Sequence, residues 1–387
     1  MEYELEELFD LQMGKTPARN KAEYWNGQKN KWISIADLSK SKKYINDTKE
    51  YISDEAIIKT GINLIPQNTV VMSFKLSIGK VAITSEPMYS NEAIMAFHNK
   101  GKVYFISEYL YYLLLSQNWN EYINKAVKGS TLNKATLSKI KIKIHNIEQQ
   151  QKIVDVLDKV ENLIDNRHQQ LNLLDELIKS RFIEMFGDPV TNPMNWNIQS
   201  MLELGEFKNG MNFHNGDNGI DVHCLGVGDF KNLSVISNTS YLPKISLNEK
   251  PTNEYILRDN DIVFVRSNGN KNLVGRCVLV YTNDILTIFS GFCIRFRLLN
   301  IKDIVPIYLL QVLKHESMRR KMLGRGVNIQ NLNQQILSKL CIPTPPVELQ
   351  NKFAAFVEQT EKTKSIIKKS LDELNLLKDS LMQKYFG

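Results

Sequence analysis

Two short stretches of this sequence carry side chains suited to reading the edges of base pairs. Arg266-Ser267-Asn268-Gly269-Asn270-Lys271-Asn272 places Arg, Asn and Lys on what reads as a hairpin turn, and Ser73-Phe74-Lys75 holds a similar place earlier. Arg and Lys can donate to guanine O6 and N7, and Asn can pair with adenine N6 and N7. Other cations suit phosphate contacts: Arg319-Arg320-Lys321 with Arg325, and more loosely Lys125 and Lys128. The candidate contact residues are Lys15, Arg19, Ser73, Lys75, Lys80 and Lys128 in the first half. In the second half they are Arg266, Asn268, Lys271, Asn272, Arg276, Arg320 and Arg325. Any one of them also fits an ordinary solvated surface charge. The pattern, present twice, favours DNA.

Catalytic constellations are missing. No GxxxxGK[ST] loop is present, and Ser267-Asn268-Gly269-Asn270-Lys271 has the wrong spacing for one. No GxGxxG opens a helix after a strand, and Gly324-Arg325-Gly326 stands isolated. There is no HExxH, and the six histidines are scattered, with His214 and His223 on Gly/Asn-rich loops. The tetrapeptide Asn/Asp-Pro-Pro-aromatic, used by adenine methyltransferases, is absent. The Pro345-Pro346 pair follows Thr344 and opens a helix instead. Cys224, Cys277, Cys293 and Cys341 form no CxxC pair, which argues against a zinc site and against a disulfide scaffold. These absences predict a chain that binds without a cofactor or metal of its own.

The elements that must position the contact residues start with Ile147–Phe186, read as one helix of roughly 60 Å at 1.5 Å per residue. It contains no Gly or Pro. Its apolar seam runs Ile153, Leu157, Val160, Ile164, Arg167, Leu171, Leu174, Ile178, a heptad pattern broken once by Arg167. Asn146 with Gln149 resembles a capping box. The stretch returns at Val347–Gly387, offset by 200 residues without a gap, with Glu148, Gln150 and Lys152 matched by Glu348, Gln350 and Lys352. The second seam is Phe353, Val357, Thr360, Lys364, Ile367, Leu371, Leu374. Here Thr344 is expected to cap, with Pro345 at the first helical position. Such a match indicates internal duplication.

Residues 1–146 and 187–346 read as two copies of one globular design. Each has a Gly-rich turn (Gly14-Lys15-Thr16-Pro17; Lys208-Asn209-Gly210) and then a short strand, Trp32–Leu38 and Cys224–Phe230. A hairpin follows over Ile65–Thr84 and Leu257–Val280. Then come a strand near Ala93–His98 and Phe292–Leu298 and an apolar helix at Ser107–Leu115 and Val305–Leu313. The expected domains are 1–146, 147–186, 187–346 and 347–387. The expected class is α+β: two mostly β cores with small helices, each feeding a long helix.

The chain has 387 residues and a formal net charge of +7, compatible with a polyanionic partner without being diagnostic of one. Lys and Arg outnumber Asp and Glu by five in residues 1–146 and by four in 187–346, whereas 147–186 carry a net −3. The basic excess thus lies mostly outside the long helices. The acidic start, MEYELEELFD, is unlike a signal peptide, and the longest apolar run, Tyr109–Leu115, is too short to cross a membrane. A cytoplasmic protein is expected.

Taken together, these residues resemble the DNA specificity subunit of type I restriction–modification systems. The resemblance spans essentially the whole chain. It is carried by GKTPARNKAEYWNG with KWISIADL, by SFKLSIGKVAI, and by the NKATLSKIKI to IEQQQKIVDVL transition and RFIEMFGDP. In the second half it is carried by DIVFVRSNG, GRCVLV and IPTPPVELQNKF. It implies two target recognition domains, each reading half of a split site in double-stranded DNA. The two long helices are implied to form an antiparallel coiled coil that sets the spacer and docks two methyltransferase subunits. Translocating nuclease subunits are implied in the complete enzyme, and S-adenosylmethionine would be bound by the partners. Recognition domains of this family vary greatly, so no base contact carries over. The first domain starts almost directly at its first motif, a departure without evident consequence. Two other readings stay open: a standalone DNA-binding regulator that dimerises through its helices, and a coiled-coil scaffold without a nucleic-acid role.

Overall fold

The computed structural model describes residues 2–75, 77–122, 132–213, 218–230, 233–270, 272–323 and 331–387. The chain divides into two compact units. Unit 1 comprises residues 1–168 and 369–387, and unit 2 comprises residues 169–368.

Unit 1 is organised by a five-stranded sheet. Its spatial order is Phe9–Met13, Ile94–Asn99, Val70–Ser73, Val81–Thr84, Tyr44–Ile45. All neighbours are antiparallel except the last pair. Its central strands are apolar on both faces, because alternate residues point to opposite sides of a strand. Val70, Met72, Ile83, Met95 and Phe97 face one core, completed by the apolar helix Ser107–Ser116 and the start of the long helix at Ile153 and Leu157. Val71, Ala82, Ile94 and Ala96 face a second, smaller core. A three-stranded sheet, Glu50–Ile52, Asn30–Ile33, Tyr89–Ser90, continues the domain.

Unit 2 repeats this plan. Its five strands are Gly205–Asn209, Cys293–Leu298, Asp261–Val265, Cys277–Val280, Val235–Ile236, and its three are Lys244–Leu247, Ile220–Leu225, Thr287–Phe289. Ile262, Phe264 and Leu279 face the core with the helix Pro306–Lys314, and Val263, Val265 and Val278 face the other way. Each unit also has a strand pair far apart in sequence: Glu2–Glu4 with Lys141–Lys143, and Ile198–Ser200 with Cys341–Pro343.

The long helices span Ile147–Phe186 and Val347–Phe386 as expected. In unit 1 the start of one meets the end of the other: Lys378 Nζ donates to Glu161 at 2.9 Å, and the Phe386 ring lies 5.5 Å from that of Tyr109. In unit 2, Lys364 Nζ donates to Asp175 at 2.7 Å, and Phe353 packs edge-on against Phe182 and Phe186. Within each unit the pairing is therefore antiparallel, along the expected seams. Ile153, Leu157, Val160 and Ile178 are buried in the first, and Phe353, Val357, Thr360, Lys364 and Ile367 in the second. Gln150 and Gln350 clasp the first helical turns. Gln150 Nε2 donates to the carbonyls of Tyr104 and His145, and its Oε1 accepts from Ile106 N–H. Gln350 makes the matching bonds to Asp303, Pro345 and Val305.

Three local expectations change. The strand read over Trp32–Leu38 is Asn30–Ile33 only. Ser34 then accepts from Asp37 N–H while Asp37 accepts from Ser34 N–H, a capping box that turns Ile35–Lys40 into a helix. The segment Cys224–Phe230 is likewise the end of a strand, Ile220–Leu225, followed by a single helical turn at Val227–Asp229. Thr344 does not cap the second long helix. Its hydroxyl and N–H both donate to the Asn197 carbonyl, which anchors the adjacent strand pair. The helix starts at Val347, so Pro345 is not its first position, and the Pro346 carbonyl accepts from Leu349 and Gln350 N–H. The first helix has the expected box, with Gln149 N–H donating to Asn146 Oδ1 at 2.9 Å. It ends at Gly187, whose φ of +74° needs a residue without a Cβ penalty.

Candidate nucleic-acid interface

In each unit the turns that carry the candidate residues gather at one end of the five-stranded sheet. In unit 1, strands Phe9–Met13 and Val70–Ser73 end there, and Val81–Thr84 and Ile94–Asn99 begin there. Main-chain bonds stitch the turns together: Gly14 N–H to Ile94, Lys15 N–H to Ser90, Phe74 N–H to Ala93 and Leu132 N–H to Phe74. Unit 2 repeats the stitching with Gly210 to Cys293, Met211 to Phe289, Arg266 to Phe292 and Leu332 to Arg266. Gly14 and Gly210 are required at this crossing. A Cβ there would come within 2.2 Å and 2.0 Å of the Ser90 and Ser290 carbonyl oxygens.

The candidate side chains on this edge of unit 1 differ in what they can offer. Lys80 is exposed and Lys75 half-buried beside the Phe74 ring. Arg19 lies 3.8 Å over the Trp25 ring and forms a two-point ion pair with Glu50, so its guanidinium is held in a fixed plane. Lys15 is exposed and its ammonium donates to the Thr60 and Gly61 carbonyls at the end of a short helix. Ser73 must be corrected. It is fully buried, its hydroxyl donates to Ser77 and accepts from Lys80 N–H, and it holds the turn rather than facing outward.

In unit 2, Arg266 is half-buried, with Nη1 near the Gly291 carbonyl at 3.4 Å. Asn268 Oδ1 accepts from Asn270 N–H, shaping the turn. Asn272 is exposed. Arg276 stands just before strand Cys277–Val280 and lines a cleft. Arg320 is exposed, 3.6 Å from Glu316 one helical turn away. Lys128, Lys271 and Arg325, with Lys125 and His214, lie outside the described residues.

Sequence reasoning missed Glu92. Its carboxylate accepts from the Thr16 hydroxyl, and although burial opposes ionisation, that bond and the charges of Lys75 and Arg19 keep it below the usual carboxylate range. It joins the first turn to the hairpin turn. An acidic residue on the loop before a strand, flanked by cations from two distant segments, gives no local signal. Arg319 was seen only as a phosphate candidate. Its Nη2 donates to the Asn272 and Val274 carbonyls and braces the hairpin.

Chemically, the two edges present hydrogen-bond donors, fixed cations and Asn amides. Among the described residues no three His, Cys, Asp or Glu side chains gather as a metal site, and no helix is long and apolar enough to cross a membrane. Cys224, Cys277 and Cys293 are buried and Cys341 is exposed, all as free thiols.

Known proteins share this organisation. The family model for the type I restriction modification DNA specificity domain matches residues 1–176 and again 193–376. The MjaIX specificity subunit of Methanocaldococcus jannaschii is 28% identical over 227 residues, 54% of this chain and 52% of that protein. This chain thus spans about half the length of that relative in the match. The StySPI specificity subunit of Salmonella potsdam is 24% identical over 356 residues, 85% of this chain and 76% of that protein. Among solved structures, the S subunit from M. genitalium matches with TM-score 0.54 at 15% identity, covering 100% of this chain and 96% of that one. A chain from a study of assembly and conformational transition in the type I R-M system matches with TM-score 0.64 at 15% identity, covering 99% and 96%. The structural likenesses carry the fold. With the family model matched twice across nearly the whole sequence, the chain belongs to the type I restriction–modification DNA specificity family, whose members recognise DNA rather than catalyse its modification.

Proposed function

We propose that this chain is the non-catalytic, DNA-reading subunit of a type I restriction–modification enzyme and that it reads an asymmetric, bipartite site. Residues 1–146 bind one half-site and residues 187–346 the other, each through its stitched loop edge. The long helices 147–186 and 347–387 set the spacer and dock two methyltransferase subunits, and translocating nuclease subunits join through that complex. S-adenosylmethionine is bound by the partners. The assembly works in the cytoplasm, where the host DNA lies.

The observation that carries this reading is the double family match together with two loop edges of one design and different side chains. Identical edges would suit a palindrome, whereas non-identical edges suit two different half-sites. Phosphate contacts from Lys80 and Arg320 would supply salt-dependent affinity, and Arg266 and Asn272 would supply base discrimination.

The test is to express the chain with its methyltransferase partner and map methylated bases across a host genome. The expected result is one motif made of two unlike half-sites and an unspecified spacer. Methylation of a single uninterrupted or palindromic motif would sink the bipartite reading. A chain that binds duplex specifically without any such partner would favour the standalone regulator.

A further inference from the structure

Unit 2 holds a cleft of about 790 Å³. It lies among the end of the first long helix, the start of strand Cys277–Val280 and the helices Pro306–Lys314 and Glu316–Leu323. Four cations line it: Lys314, Arg276 and Arg319 from three elements, and Lys179 from the first long helix, alongside the carboxylates Asp175, Glu316 and Glu361. The Lys314 ammonium donates to the Ser234 hydroxyl, and among the described residues it forms no ion pair. Burial holds it below the usual lysine range. Arg319 is pinned by two main-chain carbonyls. The carboxylates around the cleft are already engaged. Asp175 and Glu361 both accept from Lys364 at 2.7 Å, and Glu316 faces Arg320.

Unit 1 supplies an internal control, because the same place there is filled. Ile83 N–H donates to the Lys43 carbonyl as Leu279 N–H donates to that of Ser234, so Lys43 and Ser234 are equivalent. Counting from the N-caps Ile106 and Val305, Tyr112 matches Gln311 and Leu115 matches Lys314. In unit 1, Lys43 reaches Asp158 and Glu161 under the Tyr112 ring, and the Tyr112 hydroxyl donates to Asp158 at 2.7 Å. In unit 2 a serine replaces that lysine, a glutamine replaces the tyrosine and a lysine replaces the leucine. The residue matching Asp158, Glu358, pairs with Lys362 along its own helix. The space is thereby opened, and Lys314 stands in it beyond ion-pair distance of Asp175 and Glu361, whose charges it feels while both are held by Lys364.

We propose that this cleft binds a phosphate-bearing ligand through Lys314, Arg276 and Arg319. A partly buried ammonium whose nearest carboxylates are taken up by another lysine is poorly compensated, and an anion arriving in the cleft relieves that cost. Donors converging from three elements suit a tetrahedral anion, whereas a planar carboxylate is satisfied by one guanidinium fork. The volume is in the range of small-molecule sites. The phosphate belongs either to a free ligand or to a DNA backbone, and the inference does not depend on which bases the chain reads.

The test titrates inorganic phosphate into the full chain by calorimetry, beside Lys314→Leu, which restores the residue of unit 1, and Arg276→Ala. The wild type should bind at one site, and each substitution should weaken binding by about tenfold or more. Circular dichroism identifies any variant that fails to fold, in which case the other carries the test. A folded wild type that takes up no phosphate, or folded variants that bind as it does, would overturn the proposal. A second arm measures an unrelated duplex by anisotropy across a salt series. If a backbone phosphate occupies the cleft, phosphate competes with duplex and Lys314→Leu lowers the salt slope by about one. If the ligand is free, duplex binding is unchanged while phosphate binding is lost.

Discussion

Lys378 donates to Glu161 at 2.9 Å across 217 positions of sequence. Both side chains are more than two-thirds buried, and Glu161 also faces Lys43 at 3.5 Å. A contact of this kind places the end of the chain against the start of the first long helix within unit 1. A double-mutant cycle of Glu161→Ala and Lys378→Ala should give a coupling of about 0.5–1.5 kcal/mol in denaturant unfolding. Additive single effects would mean that the pair serves packing alone.

Gln350 is fully buried and satisfies three main-chain groups at the start of the second long helix. Gln350→Ala should destabilise the chain by about 2–3 kcal/mol, because it strands buried polar groups. Gln150→Ala should act in the same direction in unit 1. Urea unfolding of both variants checks this, and an effect near zero would show that water replaces the amide.

Ser73 and Arg266 separate turn-building from base-reading. Ser73→Ala should cost about 1 kcal/mol of stability and leave the recognised sequence unchanged. Arg266→Ala should relax one position of a half-site at a cost of about 1–3 kcal/mol in binding. Weakening across all sequences instead would make Arg266 a phosphate contact. Methylation mapping of both variants with the partner subunits distinguishes these outcomes.

Asp188 closes the first long helix by accepting from Val190 and Thr191 N–H and from the Ser317 hydroxyl. Burial works against ionisation, but these bonds and His315 hold its pKa below the ordinary 3.8. A depressed carboxylate adds stability that is present above the unfolded-state value and is lost as pH falls through the folded-state value. The wild type should therefore lose the Asp188 contribution progressively as pH falls below about 4, and Asp188→Asn, which has no such titration, should flatten that part of the acid limb. An identical acid profile in the variant would show that Asp188 contributes nothing to it.

Helix length gives a test of the spacer. Four residues inserted after both Gln170 and Ser370 add about 6 Å and roughly 400° of rotation to each helix, which nearly preserves the seam. The preferred spacer should lengthen by about two base pairs at 3.4 Å each, with the half-sites unchanged. An active variant that keeps the original spacer would show that these helices do not set it.

The sequence alone determined the parts governed by local periodicity. The long helices, the apolar seam from Ile153 to Ile178, the repeat at offset 200 and the hairpins within Ile65–Thr84 and Leu257–Val280 were legible there, whereas the burial of both faces of the strands around Val71 and Val263 was not. Apolar spacing, caps and the absence of Gly and Pro act within a few residues of one another. What tertiary structure decided lies between distant segments. Glu2–Glu4 pairs with Lys141–Lys143, Thr344 gives its hydroxyl to Asn197 instead of capping, and Ser73 turns inward to hold the hairpin. Glu92 becomes part of the candidate edge only because Thr16 and Lys75 are folded onto it. The unit 2 cleft depends on Ser234, Gln311 and Lys314 meeting at positions that unit 1 fills with Lys43, Tyr112 and Leu115. Each of these outcomes is set by which partner a polar group finds after the chain has closed on itself, and no periodicity encodes that choice.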